Sequence, residues 1–365
     1  KASGDFMLPD LTEETALKAL QEFFQLKPFV LFGTGTSCAV DKDFGMKGLK
    51  KYLSIHIPKY DLKTEQKQQW ENVVEKLNND IDFEVAMNDV QDKELIRIIV
   101  DETAKLVVSL DQKYSLDIMV GKRIWPAQML FKRLVDNLPE TDRTLHVATT
   151  NYDLLAEYAF EQAGIPYTSG FAGGICRYLD WEQARRCMTY TEKNFVRNKI
   201  KTTTKIKKHI ELYKVHGSLN TFMVNDKIVE NNVWVKKPEN FARVMITPGM
   251  SKYEEIHTYR NELLTKYDKS LMKHSAFLFL GFGFNDNHLL NAAMKQQLKN
   301  YPSLIINMDS NTRINELIKE CENAWLLYKS GNGTGIYNSR FRKELIIEDK
   351  CLWNPEEFVK EILGG

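Results

Sequence analysis

The groups in this sequence best suited to chemistry are polar residues that follow short apolar runs. Phe29 to Ser37 reads FVLFGTGTS. Four apolar residues run straight into Gly33 and Gly35, then Thr36 and Ser37, which is how a buried strand ends in a turn whose backbone can approach a phosphate, so a nucleotide is the expected ligand. Glycine serves there because it has no Cβ to hold a ligand off, while the amides of a following helical turn point at an anion. The same residues also describe a strand-to-helix turn with no ligand. The pattern returns at TTNYD with Asn151 and Asp153, at VHGSL with His216, at FLGFGF with Gly281, and at IINMD with Asn307. Taken singly, Asn151 caps a helix, Asp153 complements its dipole, His216 is a turn histidine, and Asn307 with Asp309 closes a turn. A dinucleotide dehydrogenase fits poorly. The third glycine of its G-x-G-x-x-G motif is Cys38 here, and no acid stands between Leu53 and Pro58, where a ribose-binding carboxylate would lie about 20 residues on.

These groups meet only if the strands that carry them are parallel neighbours. Strands are expected at Phe29, Leu145 to Thr150, Ile210 to Val215, Phe277 to Leu280 and Leu304 to Met308, with helices between them. That alternation gives an α/β fold with a doubly wound parallel sheet, which binds ligands at the carboxyl edge of its strands. Residues 11–26 predict an amphipathic helix capped by Thr12, with Leu17, Leu20 and Phe24 on one face. From Tyr60 to Glu140 the period changes to helical, with Leu95, Ile98, Ile99, Leu106 and Leu110 three and four apart and Pro126 at a first helical position. The expected organisation is a discontinuous nucleotide-binding domain, 1–58 with 144–322, a helical insertion at 59–143, and a C-terminal extension at 323–365. Gly164 to Lys208 reads as a solvated, mobile face, Thr221 to Val235 as a hairpin, and Arg243 to Thr247 as a short strand. Asn285 or Asp286 is the expected cap of the helix after the fourth strand.

Fifty basic and 49 acidic residues leave a net charge of +1, so no global charge recruits nucleic acid or a membrane. There is no apolar run of about 18 residues, and KASGDFMLPDL has no signal-peptide pattern, which predicts a cytoplasmic protein. The five cysteines are odd in number and without a C-x-x-C pair, arguing against a disulfide framework and a zinc site.

In their order, GTGTS, TTNYD, VHGSL, FLGFGF and IINMD resemble the sirtuin (silent information regulator) superfamily across residues 29–309. The resemblance implies NAD+ as substrate: Gly33, Gly35, Thr36 and Ser37 cradling its pyrophosphate, Gly281 and Asn307 facing the adenosine half, Asn151 and Asp153 holding the nicotinamide riboside end, and His216 acting on the ribose. Nicotinamide leaves a glycosidic carbon through an oxocarbenium-like transition state, which calls for oriented oxygens, a positioned water and a proton acceptor. The departures narrow the resemblance. The zinc-binding C-x-x-C pairs that follow the His-Gly motif of protein deacylases are missing, with no cysteine from Leu219 to Pro248. Thr247-Pro248-Gly249 stands where the acyl-lysine groove segment would be, and Thr150 and Tyr152 replace the family's glutamine and isoleucine. The chain is more similar to the bacterial sirtuin-like NAD hydrolases of antiphage defence. That resemblance implies hydrolysis of NAD+ to ADP-ribose and nicotinamide without zinc. The alternatives are an NAD-dependent deacylase or ADP-ribosyltransferase, and a non-catalytic NAD or ADP-ribose sensor. An enzyme that consumes free NAD must be silent in a healthy cell, so a homo-oligomer or a partner ATPase of a defence operon is expected to control it. The helical insertion and the basic segment Arg197 to Lys208 are the expected contact surfaces.

Overall fold

The computed structural model describes residues 10–364, apart from 80, 82, 88, 197–198, 237–240, 246–253 and 287–288. Nine segments form the main sheet: Phe29–Phe32 (β1), Thr144–Thr149 (β2), Tyr167–Thr168 (β3), His209–Lys214 (β4), Phe277–Leu280 (β5), Ser303–Ile306 (β6), Ala324–Ser330 (β7), Gly333–Asn338 (β8) and Lys343–Ile347 (β9). Among the described residues their order is β9-β8-β7-β6-β5-β1-β2-β4-β3. The pairings from β7 to β3 are parallel; β8 and β9 add antiparallel, so residues 324–347 continue the main sheet.

The apolar runs are continuous because both faces of these strands are buried. In β1, Val30 and Phe32 join one core with Leu145, Val147, Leu278 and Leu280, while Phe29 and Leu31 join the opposite core with Ala148, Phe277 and Phe279. β1 lies between β2 and β5, in register Val30 to Val147 and Phe29 to Phe277. The chain builds the sheet to one side of β1 and then returns to build the other, which places a topological switch point at the carboxyl ends of β1, β2 and β5.

The helical region has a core of its own, including Leu53, Ile57, Trp70, Phe83, Leu95 and Ile99. It begins earlier than the expected residue 59, since Met46–His56 is already helical. The helix Lys93–Met119, capped by Asp92, joins this core to the sheet: Leu95, Ile96, Ile99 and Val100 pack in the helical core, whereas Tyr114 and Ile118 pack in the sheet's. At 27 residues it is about 40 Å long. Pro126 precedes its helix, Gln128–Asp136, and is not at its first position.

The elements between β3 and β6 are more regular than the sequence suggests. The basic stretch is largely exposed, as expected of a solvated face, but it has regular structure. It contains the helix Trp181–Cys187 and a hairpin of Thr189–Val196 with Lys199–Ile206, in which the β-branched residues favour strands and successive residues such as Lys199, Ile200 and Lys201 are exposed on both faces; Arg197 lies outside the described residues. The expected hairpin pairs Thr221 to Val224 with Lys227–Glu230 across Asn225 and Asp226, both at positive φ, and its first strand reaches back to Gly217. His216 therefore lies at the corner between the main sheet and a second, five-stranded sheet. The expected Arg243 to Thr247 strand is seen as Ala242–Met245 in that second sheet, and residues 247–249 lie outside the described residues. After β5, Asp286 accepts from the Leu289 amide at 3.2 Å through Oδ1 and from the Leu290 amide at 3.1 Å through its carbonyl, the bonds of a capping residue, and the helix Ala292–Asn300 that follows is capped by Asn291. No helix among the described residues is long and apolar enough to cross a membrane.

Candidate functional site

The turn after β1 is closed by backbone bonds. The Gly33 amide donates to Leu280 O and the Gly35 amide to Gly281 O, each at 2.9 Å, so this turn and the turn after β5 are held against each other. The glycines allow the approach. A Cβ on Gly35 would lie 2.6 Å from Gly281 Cα, and Gly281, at φ +55°, would place one 2.6 Å from Thr36 N. Thr36 and Ser37 are buried and turn inward: Thr36 Oγ1 donates to Gly33 O at 2.9 Å and Ser37 Oγ to Asp153 Oδ2 at 2.8 Å.

Asn151 locks the turn after β2 to the turn after β1. Its Nδ2 donates to Gly33 O at 3.1 Å and to Ser37 Oγ at 2.9 Å. A backbone carbonyl only accepts, so the first bond fixes which end of the amide is nitrogen. The other end, Oδ1, is buried and has no hydrogen-bond partner. A buried acceptor left open in this way costs about 1–3 kcal/mol. Asp153 is buried beside it, and burial raises its carboxyl above the ordinary range, with Lys214 pulling the other way. Lys214 Nζ donates to Asp153 O and to Glu157 Oε1, both at 2.6 Å.

His216 follows β4, and its Nε2 is 2.6 Å from Asp286 Oδ2. The second oxygen of Asp286 accepts from the Leu289 amide at 3.2 Å, which fixes the carboxylate. Tyr152 stands beside the imidazole with ring centroids 6.3 Å apart.

One cavity of about 420 Å³ collects these groups. Gly35, Gly281, Asn151, Asp153 and His216 line it, together with Thr34, Cys38, Thr150, Tyr152, Phe282, Gly283, Asn285 and Asp286. The opposite wall comes from Phe44, Met46 and Leu49 and from the helical region, through Phe83, Thr103, Leu106 and Val107. Gly33, Thr36, Ser37 and Asn307 do not reach the lining. Asn307 is spent on the loop behind it, accepting from Phe282 N at 3.1 Å and donating to Phe282 O at 2.8 Å. Cys38 is no candidate nucleophile, because burial and then the Asp153 and Asp41 carboxylates push its thiol up to about 11. A group of three or more His, Cys, Asp or Glu side chains placed to hold a metal does not occur among the described residues.

The likeness to known proteins is local to part of this site and its strands. Residues 145–321 match the SIR2-like domain. The match takes in Asn151, Asp153, His216, Gly281 and Asn307, and begins after β1 and the helical region. A solved structure titled "Structural Basis for the Mechanism and Regulation of Sir2 Enzymes" is 12% identical, covers 84% of this chain and 90% of its own, and has a TM-score of 0.39. No curated protein matches the chain.

The structure places the sequence candidates Asn151, Asp153 and His216 on the cavity, and beside them Asp286, for which the sequence suggests only a cap. Nor does the sequence single out the wall from the helical region. Thr103, Leu106 and Val107 do share a helix face at spacings of three and four, but the same periodicity describes an ordinary core face.

Proposed function

We propose that this cavity binds NAD+ and that the protein hydrolyses its nicotinamide–ribose bond, giving nicotinamide and ADP-ribose. One observation carries the reading: an imidazole held by a carboxylate and an open buried amide oxygen line the same cavity, at the switch point of a parallel sheet in a SIR2-like domain. The cavity volume falls in the range of about 300–1,000 Å³ used for small-molecule sites. Cleavage develops positive charge on the ribose carbon as the bonding pair moves to the nicotinamide nitrogen. The Asn151 carbonyl oxygen supplies a fixed dipole for that charge, and His216 accepts a proton from the attacking water, whose oxygen forms the new bond to the carbon. Asp286 favours the imidazolium that results. The reading extends to NAD depletion in bacterial antiphage defence, with control by self-assembly or a partner ATPase; its support is the motif order and the missing zinc pairs and groove segment.

Purified protein given NAD+ is expected to release nicotinamide and ADP-ribose without any peptide. Release only with an acetyl-lysine peptide or a protein acceptor would replace hydrolysis with deacylation or ADP-ribosyl transfer. Tight binding without turnover would make the cavity a sensor.

The same protein is expected to contain no stoichiometric zinc and to keep its activity in chelator. A closed zinc site needs four ligands at short pairwise spacing. Here Cys176 accepts instead from Asn231 Nδ2 at 3.2 Å, and Cys321 donates to Leu317 O. Elemental analysis of protein never exposed to a metal column checks this, and one zinc per chain would refute it.

A further inference from the structure

The helix Leu155–Gln162, which follows the Asn151–Asp153 turn, has no side-chain cap from its N-cap residue; Asp153 Oδ1 accepts from the Leu155 amide at 3.2 Å, and the Leu154 amide is left for another partner. Leu154 holds the N-cap position and has no polar side chain to offer. Glu157 stands where a capping-box acid would reach back to the N-cap amide, yet its Oε1 is engaged by Lys214. Asp111 takes that role from another element. Its Oδ1 accepts from Leu154 N at 2.7 Å and its Oδ2 from Tyr158 OH at 2.8 Å.

Asp111 belongs to the long helix Lys93–Met119 and is 0% exposed. Burial raises its carboxyl to about 6, a cost that an aliphatic side chain at this position would not carry. The same helix presents Thr103, Leu106 and Val107 to the cavity. One rigid element thus makes a wall of the cavity and grips the turn that bears Asn151.

We infer that Asp111 is a positioning residue for the proposed hydrolysis, holding the Asn151–Asp153 turn at the cavity through the Leu154 amide and the Tyr158 hydroxyl. This rests on the NAD hydrolase reading. It also makes the helical region part of the catalytic apparatus: whatever displaces the long helix displaces the turn.

The test compares wild type, Asp111→Asn and Asp111→Ala by NAD turnover, thermal melting and amide hydrogen exchange of residues 151–158. Asparagine keeps an acceptor oxygen for the Leu154 amide and is expected to retain most of kcat. Alanine is expected to lower kcat about 10²-fold, as misplacement of a catalytic group does, with KM changed less. Exchange at 151–158 should quicken in the alanine variant while residues 93–110 stay protected. A folded Asp111→Ala with wild-type kcat, or an asparagine variant as impaired as the alanine one, overturns the inference. If the alanine variant does not fold, Tyr158→Phe carries the test, since it removes one of the two donors: unchanged kcat and unchanged exchange at 151–158 would overturn the inference, and a loss in both supports it. No turnover in wild type defeats the hydrolase reading alone, while the exchange measurement still decides whether Asp111 holds the turn.

Discussion

His216→Ala is expected to lower nicotinamide release by about 10² to 10⁴, the usual loss when a general base is removed, with the fold retained. The imidazole sits at the cavity rim with 21% of its side chain exposed, so its packing contribution is small. Asp286 acts through it. Asp286→Asn keeps the volume but loses the charge that orients and stabilises the ring, and should cost about 10² in kcat. If Asp286 acts on catalysis only through His216, the losses cannot add: the double variant His216→Ala/Asp286→Asn should be no slower than His216→Ala alone. Initial rates for the four proteins, with melting curves to show that each is folded, complete the cycle. A further drop on adding Asp286→Asn to His216→Ala would show that Asp286 acts on the substrate by a route of its own. A His216→Ala protein as fast as wild type would remove the histidine from the mechanism.

Asn151 differs from His216 in what its loss means. Its position at a strand end gave no reason to expect more than a cap, worth about 0.5–2 kcal/mol. In the structure it is buried and its amide bonds Gly33 O and Ser37 Oγ. Truncation therefore removes the amide that ties the turn after β2 to Gly33 O and Ser37 Oγ, so a rate measured on Asn151→Ala mixes lost chemistry with a displaced turn.

The parallel sheet was legible in the sequence because strands buried on both faces leave continuous apolar runs, and the polar residue ending each run marks the carboxyl edge. The orientation of the side chains at that edge was not legible. Thr36, Ser37 and Asn307 belong to turns that flank the cavity, but Thr36 donates back to Gly33 O in its own turn while Ser37 and Asn307 bond to other turns, and the partner of Ser37, Asp153, lies more than 100 residues away. Lys214 is a similar case. As the last residue of β4 it reads as the exposed end of a strand, yet it is buried against Glu157 and the Asp153 carbonyl. Local spacing records which groups stand at an edge; pairing across turns depends on sheet order, which one sequence does not carry.

The glycines after β1 and β5 give the second large expected effect, and it separates two reasons for glycine. If Gly35 served only to let a phosphate approach, Gly35→Ala would leave stability alone and raise KM. The structure gives it another task. A Cβ there would lie 2.6 Å from Gly281 Cα and 2.8 Å from Gly281 O, and backbone cannot move aside as the end of a side chain can. The methyl group would also push apart the atoms that make the Gly35 N to Gly281 O bond. Overpacking of this kind costs about 1–3 kcal/mol, and Gly281→Ala adds about 1–2 kcal/mol for a left-handed residue with a Cβ. Both variants are therefore expected to lose stability in denaturant and most of their activity. Gly283 supplies the control. It lines the same cavity, but the nearest atom to a Cβ there is 3.6 Å away, which is ordinary contact, so Gly283→Ala should unfold like wild type. Any loss of turnover in Gly283→Ala then reports on the cavity alone. Equal stability for Gly35→Ala and Gly283→Ala would mean that the two turns tolerate separation, and the phosphate explanation for Gly35 would have to be restored.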